Sequence, residues 1–375
     1  MDKQTIFQQV EKRKQDLIDD ICTLVQIDST RGEPQPNQPF GKGPNTALEK
    51  ALEICRREGL KTKNVDGYMG YGCYGESEEY IGIIGHLDVV EVGDGWLDPP
   101  FSASIHDGRI WGRGALDDKG PLLAAMYGML ALKDLGIEPK TAIHIIFGTN
   151  EETGMEDMRY FLKHEKAPIA GFTPDNKFPA IYGERGRAVI EVWGAADTVI
   201  PFANEYFMNA NPNGDRLGIA IKDEHFGEMK IRNKILLQNK KQIGLRFSLS
   251  YPSCDLNEIV KHIQAKAIGL EVKLIFDSSV VLHNPNSWLV QTMEQAYEEA
   301  TDTKAHPTTT TGGTYAHVCH TIIPYGPSFP GQNGIAHQPN EWVNIEDLIQ
   351  CTKIYAWTLY RLCMADIPEN ALEGD

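Results

Sequence analysis

The chain has 375 residues, 41% apolar and 23% charged, an ordinary composition for a folded protein, and its length suits two domains of about 250 and about 100 residues. A formal net charge of −16 repels nucleic-acid phosphates and anionic lipid, so neither nucleic acid nor membrane is an expected partner. The polar amphipathic start, Met1 to Lys14, reads as neither signal peptide nor anchor, and seven cysteines without a Cys-x-x-Cys pair fit reduced thiols in the cytoplasm.

Periodicity predicts helices over 5–30 and 44–59, the second capped by Asn45-Thr46, with a Pro/Gly-rich loop from Thr30 to Pro44 between them. The run Tyr80 to Gly85 is a buried strand ending on His86. A glycine-rich stretch, Arg109 to Gly120, then leads through Pro121 into a mostly apolar helix. A second buried strand, Ala142 to Gly148, runs out just before Glu151-Glu152. Alternation of strand and helix through residue 175 predicts an α/β sheet domain with helices on its faces. From Arg187 the texture changes to the short strands Ala188 to Trp193 and Ile243 to Ser250, a helix from Leu256 to Ile268 and a strand from Leu270 to Phe276. This predicts a small α+β insertion over 187–283, returning at His283-Asn-Pro-Asn286 before a helix from Trp288 to Ala300. The main domain is then 1–186 with 284–375, closing on a helix from Ile345 to Met364 and a polar tail expected to be disordered.

Five candidate metal ligands, His86, Asp117, Glu152, Asp175 and His337, are spread along the chain, and each of the first four follows an apolar run or a glycine turn. In open α/β sheets functional groups gather beyond the carboxyl ends of the strands, so these residues point to one crevice. His86 and Asp88 are two apart and share a face on a strand, where the carboxylate can accept the second N–H of the histidine while the other nitrogen faces a cation. The alternative is a strand-end histidine beside a solvated aspartate. Asp117-Asp118 follows Gly112-Arg-Gly114 in a tight turn, where a carboxylate with two oxygens can bridge two cations or cap the next helix. In Glu151-Glu152 the adjacent carboxylates point different ways, so one can ligate while the other stands over a water as general base, unless both are solvated in an acidic turn. Asp175 and His337 also fit ordinary turn and loop positions. Two histidines and three carboxylates together suit two divalent ions, zinc first and manganese or cobalt as alternatives. Cys319, between His317 and His320, matches no closed zinc spacing.

Several longer motifs carry a resemblance: Gly85-His-Leu-Asp-Val-Val90, Gly93-Asp-Gly-Trp96, Gly112-Arg-Gly-Ala-Leu-Asp-Asp-Lys-Gly120, Thr149-Asn-Glu-Glu-Thr-Gly154, Thr173-Pro-Asp175, Gly312-Gly-Thr-Tyr-Ala316 and Ala336-His-Gln338. In this order they resemble the dinuclear zinc metallopeptidases, the family of carboxypeptidase G, acetylornithine deacetylase and succinyl-diaminopimelate desuccinylase, and most nearly its dipeptidase V branch. The resemblance implies a zinc-exopeptidase-like catalytic domain with a mixed central sheet and an inserted ferredoxin-like lid. It implies that Asp117 bridges two metal ions, that His86 and Asp175 complete one site, and that Glu152 and His337 complete the other. Asp88 would orient His86, Glu151 would be the general base, and the Asp117-Asp118 peptide would be cis.

Two departures stand out. Where the branch reads arginine after Gly-Gly-Thr-Tyr-Ala, this chain has His317, which lacks the bidentate fork for a substrate carboxylate; Gly313 and His317 are the candidate substrate contacts. The segment 187–283 is shorter than the branch's lid and holds no copy of its lid-histidine motif, since His225, His262 and His283 have other neighbours. The resulting expectation is a cytoplasmic zinc metallohydrolase of dipeptidase type, with Glu151 as base for a water between two metal ions. An N-acyl-amino-acid deacylase would use the same centre, because the two differ in what the pocket holds. A metal-bound, catalytically weak peptide-binding protein is the rival from another class. A lid of this size also allows a homodimer.

Overall fold

The chain divides into two compact units in the computed structural model, which describes residues 1–332 and 335–373. The first unit takes Met1–Tyr182, His283–Thr308 and Thr314–Asp375; the second takes Gly183–Leu282 with Thr309–Gly313. The second unit therefore starts a few residues before Arg187 and also gathers in a short segment distant in sequence.

In the first unit the chain opens on helices α1 (Lys3–Lys12) and α2 (Lys14–Val25), so the single helix expected over 5–30 is broken at Arg13. The break turns two apolar stripes, Ile6 with Val10 and Leu17 with Ile21 and Leu24, onto one core. Helix α3 (Lys42–Arg57) begins three residues earlier than Asn45-Thr46 because Gly41 takes the N-cap position at φ +97°. A Cβ there would lie 2.7 Å from the Gly32 Cα, so only glycine fits this entry. Strands β1 (Lys61–Val65) and β2 (Met69–Tyr74) form a hairpin that the polar, glycine-rich sequence does not signal.

Strand β3 (Tyr80–His86), helix α4 (Lys119–Asp134), strand β4 (Ala142–Gly148), helix α5 (Glu156–His164) and strand β5 (Ala170–Thr173) follow. The sheet order is β1-β2-β4-β3-β5 and then the strand Ile322–Pro324; the last four strands run parallel, and β1 and β2 make the sheet mixed. Ile81, Ile83, Ile145 and Phe147 enter the core shared with α4, whereas Tyr80, Ile84 and Ile146 pack with Met158 and Phe161 of α5. Burial on both faces is why these strands read as unbroken apolar runs. Helix α4 is buried on nearly every side, and at Gly128 a Cβ would come within 2.9 Å of the Ala356 amide in the closing helix Ile345–Met364.

His144 on β4 is stacked between Tyr80 and Tyr71, with ring centroids 3.9 and 5.2 Å away. Burial depresses its pKa to about 4, below the ordinary histidine value of 6.5. The folded state thus binds its proton less readily than the unfolded chain, and the stability this neutral ring contributes above the ordinary value is lost as pH falls toward the folded value. Replacing His144→Gln should reduce the fall in Tm between about pH 7 and about pH 4.5 by several degrees, measured by thermal melts.

The second unit reads β6 (Gly186–Gly194), α6 (Ala196–Ala203), β7 (Lys230–Gln238), β8 (Ile243–Tyr251), α7 (Leu256–Lys266) and β9 (Glu271–Ser278). Its sheet, in the order β7-β8-β6-β9, is antiparallel throughout, which is the split βαββαβ arrangement of a ferredoxin-like fold. One face carries Ile190, Val192, Phe247 and Leu249 against Ile259 and Ile263 of α7. Sequence periodicity misses α6, which contains Pro201, and β7, where Ile231 is the single buried residue among charged neighbours.

The expected disordered tail instead folds back: Ala371 and Leu372 are buried, and Leu289 donates its amide to the Ala371 carbonyl at 2.8 Å. Two apolar residues are enough to dock a tail and too few to show a period. Gly374 and Asp375 lie outside the described residues. All seven cysteines are free, and among the described residues no helix is long and apolar enough to cross a membrane.

Candidate metal centre

Because β3, β4 and β5 are parallel, their carboxyl ends face the same way, and this brings His86, the Glu151-Glu152 turn and Asp175 to one edge of the sheet. Asp117 reaches that edge from the turn ahead of α4, and His337 from the loop before the strand Trp342–Asn344. The Asp117–Asp118 peptide is cis.

The Asp117 carboxylate stands between two rings. Its Oδ1 is 3.0 Å from His86 Nε2, and its Oδ2 is 3.1 Å from His337 Nε2. Glu152 Oε1 lies 2.9 Å from the same nitrogen of His337, and Asp175 Oδ2 lies 3.7 Å from His86 Nε2. All five candidate ligands therefore join one cluster. Ligand atoms of His86, Asp117 and Glu152 lie within 4.8 Å of one another, as do those of His86, Glu151 and Asp175. Glu151, read from the resemblance as a base, thus also stands at ligand distance.

Polar residues behind the cluster hold it. His86 Nδ1 is 2.8 Å from the carbonyl oxygen of Asp88, while the Asp88 carboxylate is 3.6 Å away. That carboxylate instead accepts the amides of Glu151 at 3.0 Å and Glu152 at 3.1 Å. Asp88 therefore fixes the ring through its backbone and the acidic turn through its side chain. Strand β3 ends at His86, so the alternation that would place both side chains on one face stops before Asp88.

Two residues that sequence reasoning missed complete the support. Asp157, fully buried, accepts the amides of Thr149 and Asn150 at 2.8 Å each and the hydroxyl of Tyr315, tying down the start of the Glu151 turn. Glu341, also fully buried, accepts the amides of Gly114 and Leu116 at 3.0 Å and Asp117 at 3.2 Å, and pairs with Arg113 at 2.6 Å. One signal for Glu341 was available: an arginine between two glycines in a tight turn, if buried, needs a carboxylate partner. Asp118 occupies the N-cap of α4 without a side-chain cap bond; its Oδ2 fills the space a Cβ on Gly85 would need. Lys119, fully buried, donates to the carbonyl of Leu24 in the last turn of α2 and to that of Ile27 just beyond it.

Charge in this cluster is unbalanced. Burial drives the proton affinities of Glu151 and Asp175 well above the usual carboxylate range, opposed by His86 and reinforced by neighbouring acids. Asp117 goes the other way: burial raises it, but hydrogen bonds from His337 and His86 outweigh burial and hold it below the usual range. His337, bonded to Asp117 and Glu152, is pushed up to about 10. Glu151 Oε1 is buried with no hydrogen-bond partner among the described residues. Crowded carboxylates, two imidazole nitrogens and an orphaned oxygen fit divalent cations, whose charge would offset the repulsion.

The remaining candidates lie elsewhere in the chain. His317 sits in the short turn Tyr315–His317, its amide bonded to the Thr314 carbonyl at 3.0 Å. Gly313 belongs to the segment that groups with the second unit, as do His225 and His262, while His283 belongs to the first.

The family model for peptidase family M20/M25/M40 matches residues 82–361. A Beta-Ala-Xaa dipeptidase of Lactobacillus delbrueckii subsp. lactis is 28% identical, with 94% of this chain and 97% of that protein aligned. The alignment spans 456 positions against 375 residues here, so that relative carries segments with no counterpart in this chain. Among solved structures, the di-peptidase Dug1p from Saccharomyces cerevisiae superposes with a TM-score of 0.73 at 17% identity, covering 96% of this chain and 98% of its own. The Bacillus subtilis YXEP protein, described as a dinuclear metal binding peptidase, superposes at 0.65 with 13% identity, covering 94% and 98%.

Proposed function

Since the chain belongs to peptidase family M20/M25/M40, we propose that it is a metal-dependent dipeptidase, hydrolysing the amide bond of dipeptides and short peptides. The observation that carries this reading is the Asp117 carboxylate standing 3.0 and 3.1 Å from ring nitrogens of two histidines, flanked by Glu152 and Asp175. His86, Asp117 and Asp175 would hold one cation, and Asp117, Glu152 and His337 a second, with zinc preferred for mixed nitrogen and oxygen donors. Bound there, such ions would supply Lewis-acid polarisation and a more acidic water.

The chain's own residues do the proton work. Glu151 receives the proton of the attacking water as the C–O bond forms, then returns it to the departing amine as the C–N bond breaks. Asp88 and Asp157 keep Glu151 in place by binding the amides of its turn. The ferredoxin-like unit is read as a lid, and a cytosolic location is supported by the seven free thiols.

A panel of dipeptides and N-acetyl amino acids tests the assignment. Dipeptides should be cleaved, chelation should abolish the cleavage, and added zinc should restore it. Turnover confined to N-acyl amino acids would make the protein a deacylase. Metal binding without turnover on either panel would leave it a peptide-binding protein.

A further inference from the structure

Four consecutive backbone amides, from Thr149 to Glu152, are held by two carboxylates. Asp88 accepts those of Glu151 and Glu152, one on each oxygen, while Asp157 accepts those of Thr149 and Asn150 through Oδ2 alone, at 2.8 Å each. Asp157 sits in the first turn of α5, where an acidic side chain is free to swing out to water unless something holds it. Its Oδ1 takes the Met158 amide at 2.7 Å, and its Oδ2 takes one further donor, the hydroxyl of Tyr315. Tyr315 is the one side chain bonded to Asp157 among the described residues.

Two further features show that this hydroxyl is fixed in place. The Tyr315 ring is fully buried in a core shared with Ile84, Ile146, Met158 and Phe161, and its carbonyl accepts the amides of Val318 at 3.0 Å and Cys319 at 2.8 Å. On its other side the ring lies against Gly148, the last residue of β4, where a Cβ would come within 1.8 Å of the Tyr315 Oη. Gly148 in turn accepts the Leu87 amide at 2.9 Å, next to His86. A rigid phenol is thus wedged at the root of the acidic turn, bonded to a buried carboxylate in surroundings that strengthen such a bond. Reacting groups must be held to within a fraction of an ångström, so the support behind a base bears directly on rate.

We infer that Tyr315 is a positioning residue: its hydroxyl fixes the Asp157 carboxylate, and Asp157 fixes the start of the turn that presents Glu151 and Glu152. Tyr315 touches no reacting atom. The same short turn carries His317, so the candidate substrate contact and the candidate base hang on one buried ring. That the clamped turn serves proton transfer rests on the dipeptidase reading, whereas the clamp itself does not.

Hydrogen exchange of the full chain, followed by mass spectrometry on a fragment covering 149–152, tests the clamp without any substrate. In Tyr315→Phe these amides should exchange on the order of tenfold faster, beyond any change shared by fragments from β3 and α4. The zinc-loaded variant should also lose about tenfold in kcat on a dipeptide that the parent cleaves, with KM within about threefold and bound zinc unchanged. Because the effect passes through Asp157, adding Tyr315→Phe to Asp157→Asn should slow that variant no further. Equal exchange in the parent and Tyr315→Phe overturns the inference, and so does a loss of kcat that multiplies on the Asp157→Asn background. A rise in KM at the parent's kcat would make Tyr315 a substrate contact, and faster exchange at the parent's kcat would reduce it to a structural bond; either overturns its positioning role. A parent that cleaves no dipeptide would remove the dipeptidase reading, and the exchange result would still decide the clamp.

Discussion

Replacing Glu151→Gln should lower kcat by about 10²- to 10⁴-fold on a cleaved dipeptide while leaving the amount of bound zinc unchanged. The side chain keeps its size, so the turn held by Asp88 is preserved, and what disappears is the ability to accept a proton. Glu151 is the group in the cluster best suited to that task. It is nearly buried, and one of its oxygens has no hydrogen-bond partner among the described residues. Glu151→Asp retains the carboxylate but withdraws it by one methylene, and should recover part of the rate. Kinetics must be paired with elemental analysis, because Glu151 also stands at ligand distance with His86 and Asp175. Loss of zinc in step with activity would make it a ligand, and a rate within a few fold of the parent would move the base elsewhere.

The largest effect on stability is expected at Glu341. Its carboxylate receives three backbone amides, from Gly114, Leu116 and Asp117, together with the Arg113 guanidinium, and none of these groups reaches bulk water through it. Glu341→Ala would leave a buried arginine without its countercharge and three amides without their acceptor, at a cost of about 3–5 kcal/mol by denaturant unfolding. Removing both charges at once, as Arg113→Met with Glu341→Leu, should cost less than the two single changes combined. Activity should fall as well, since the same carboxylate shapes the turn that presents Asp117. A Glu341→Ala variant that unfolds within about 1 kcal/mol of the parent would mean that another group takes over these donors.

Much of the site is legible in the sequence because its residues sit at punctuation points. His86 closes one apolar run, Glu151 and Glu152 follow another, and Asp117 follows paired glycines. The supporting carboxylates have no such marks. Glu341 is separated from its amide partners by more than 220 residues, and Asp157 lies in the first turn of a helix, where an acid is commonplace. The fold shows the same division. Strands buried on both faces are visible as unbroken runs, whereas β7, with one buried residue, and the docked tail at Ala371-Leu372 offer no period to detect. The break at Arg13 is hidden because helical periodicity continues through it.

Sequence alone thus determined the α/β class, the inserted α+β segment and the set of acids and histidines available at the strand ends, since local periodicity and turn chemistry depend only on near neighbours. Tertiary structure decided which oxygen meets which nitrogen. His86 and Asp117 are 31 residues apart and Glu152 and His337 are 185 apart, so their approach within about hydrogen-bond distance is set by parallel strand register and by helix packing against the sheet.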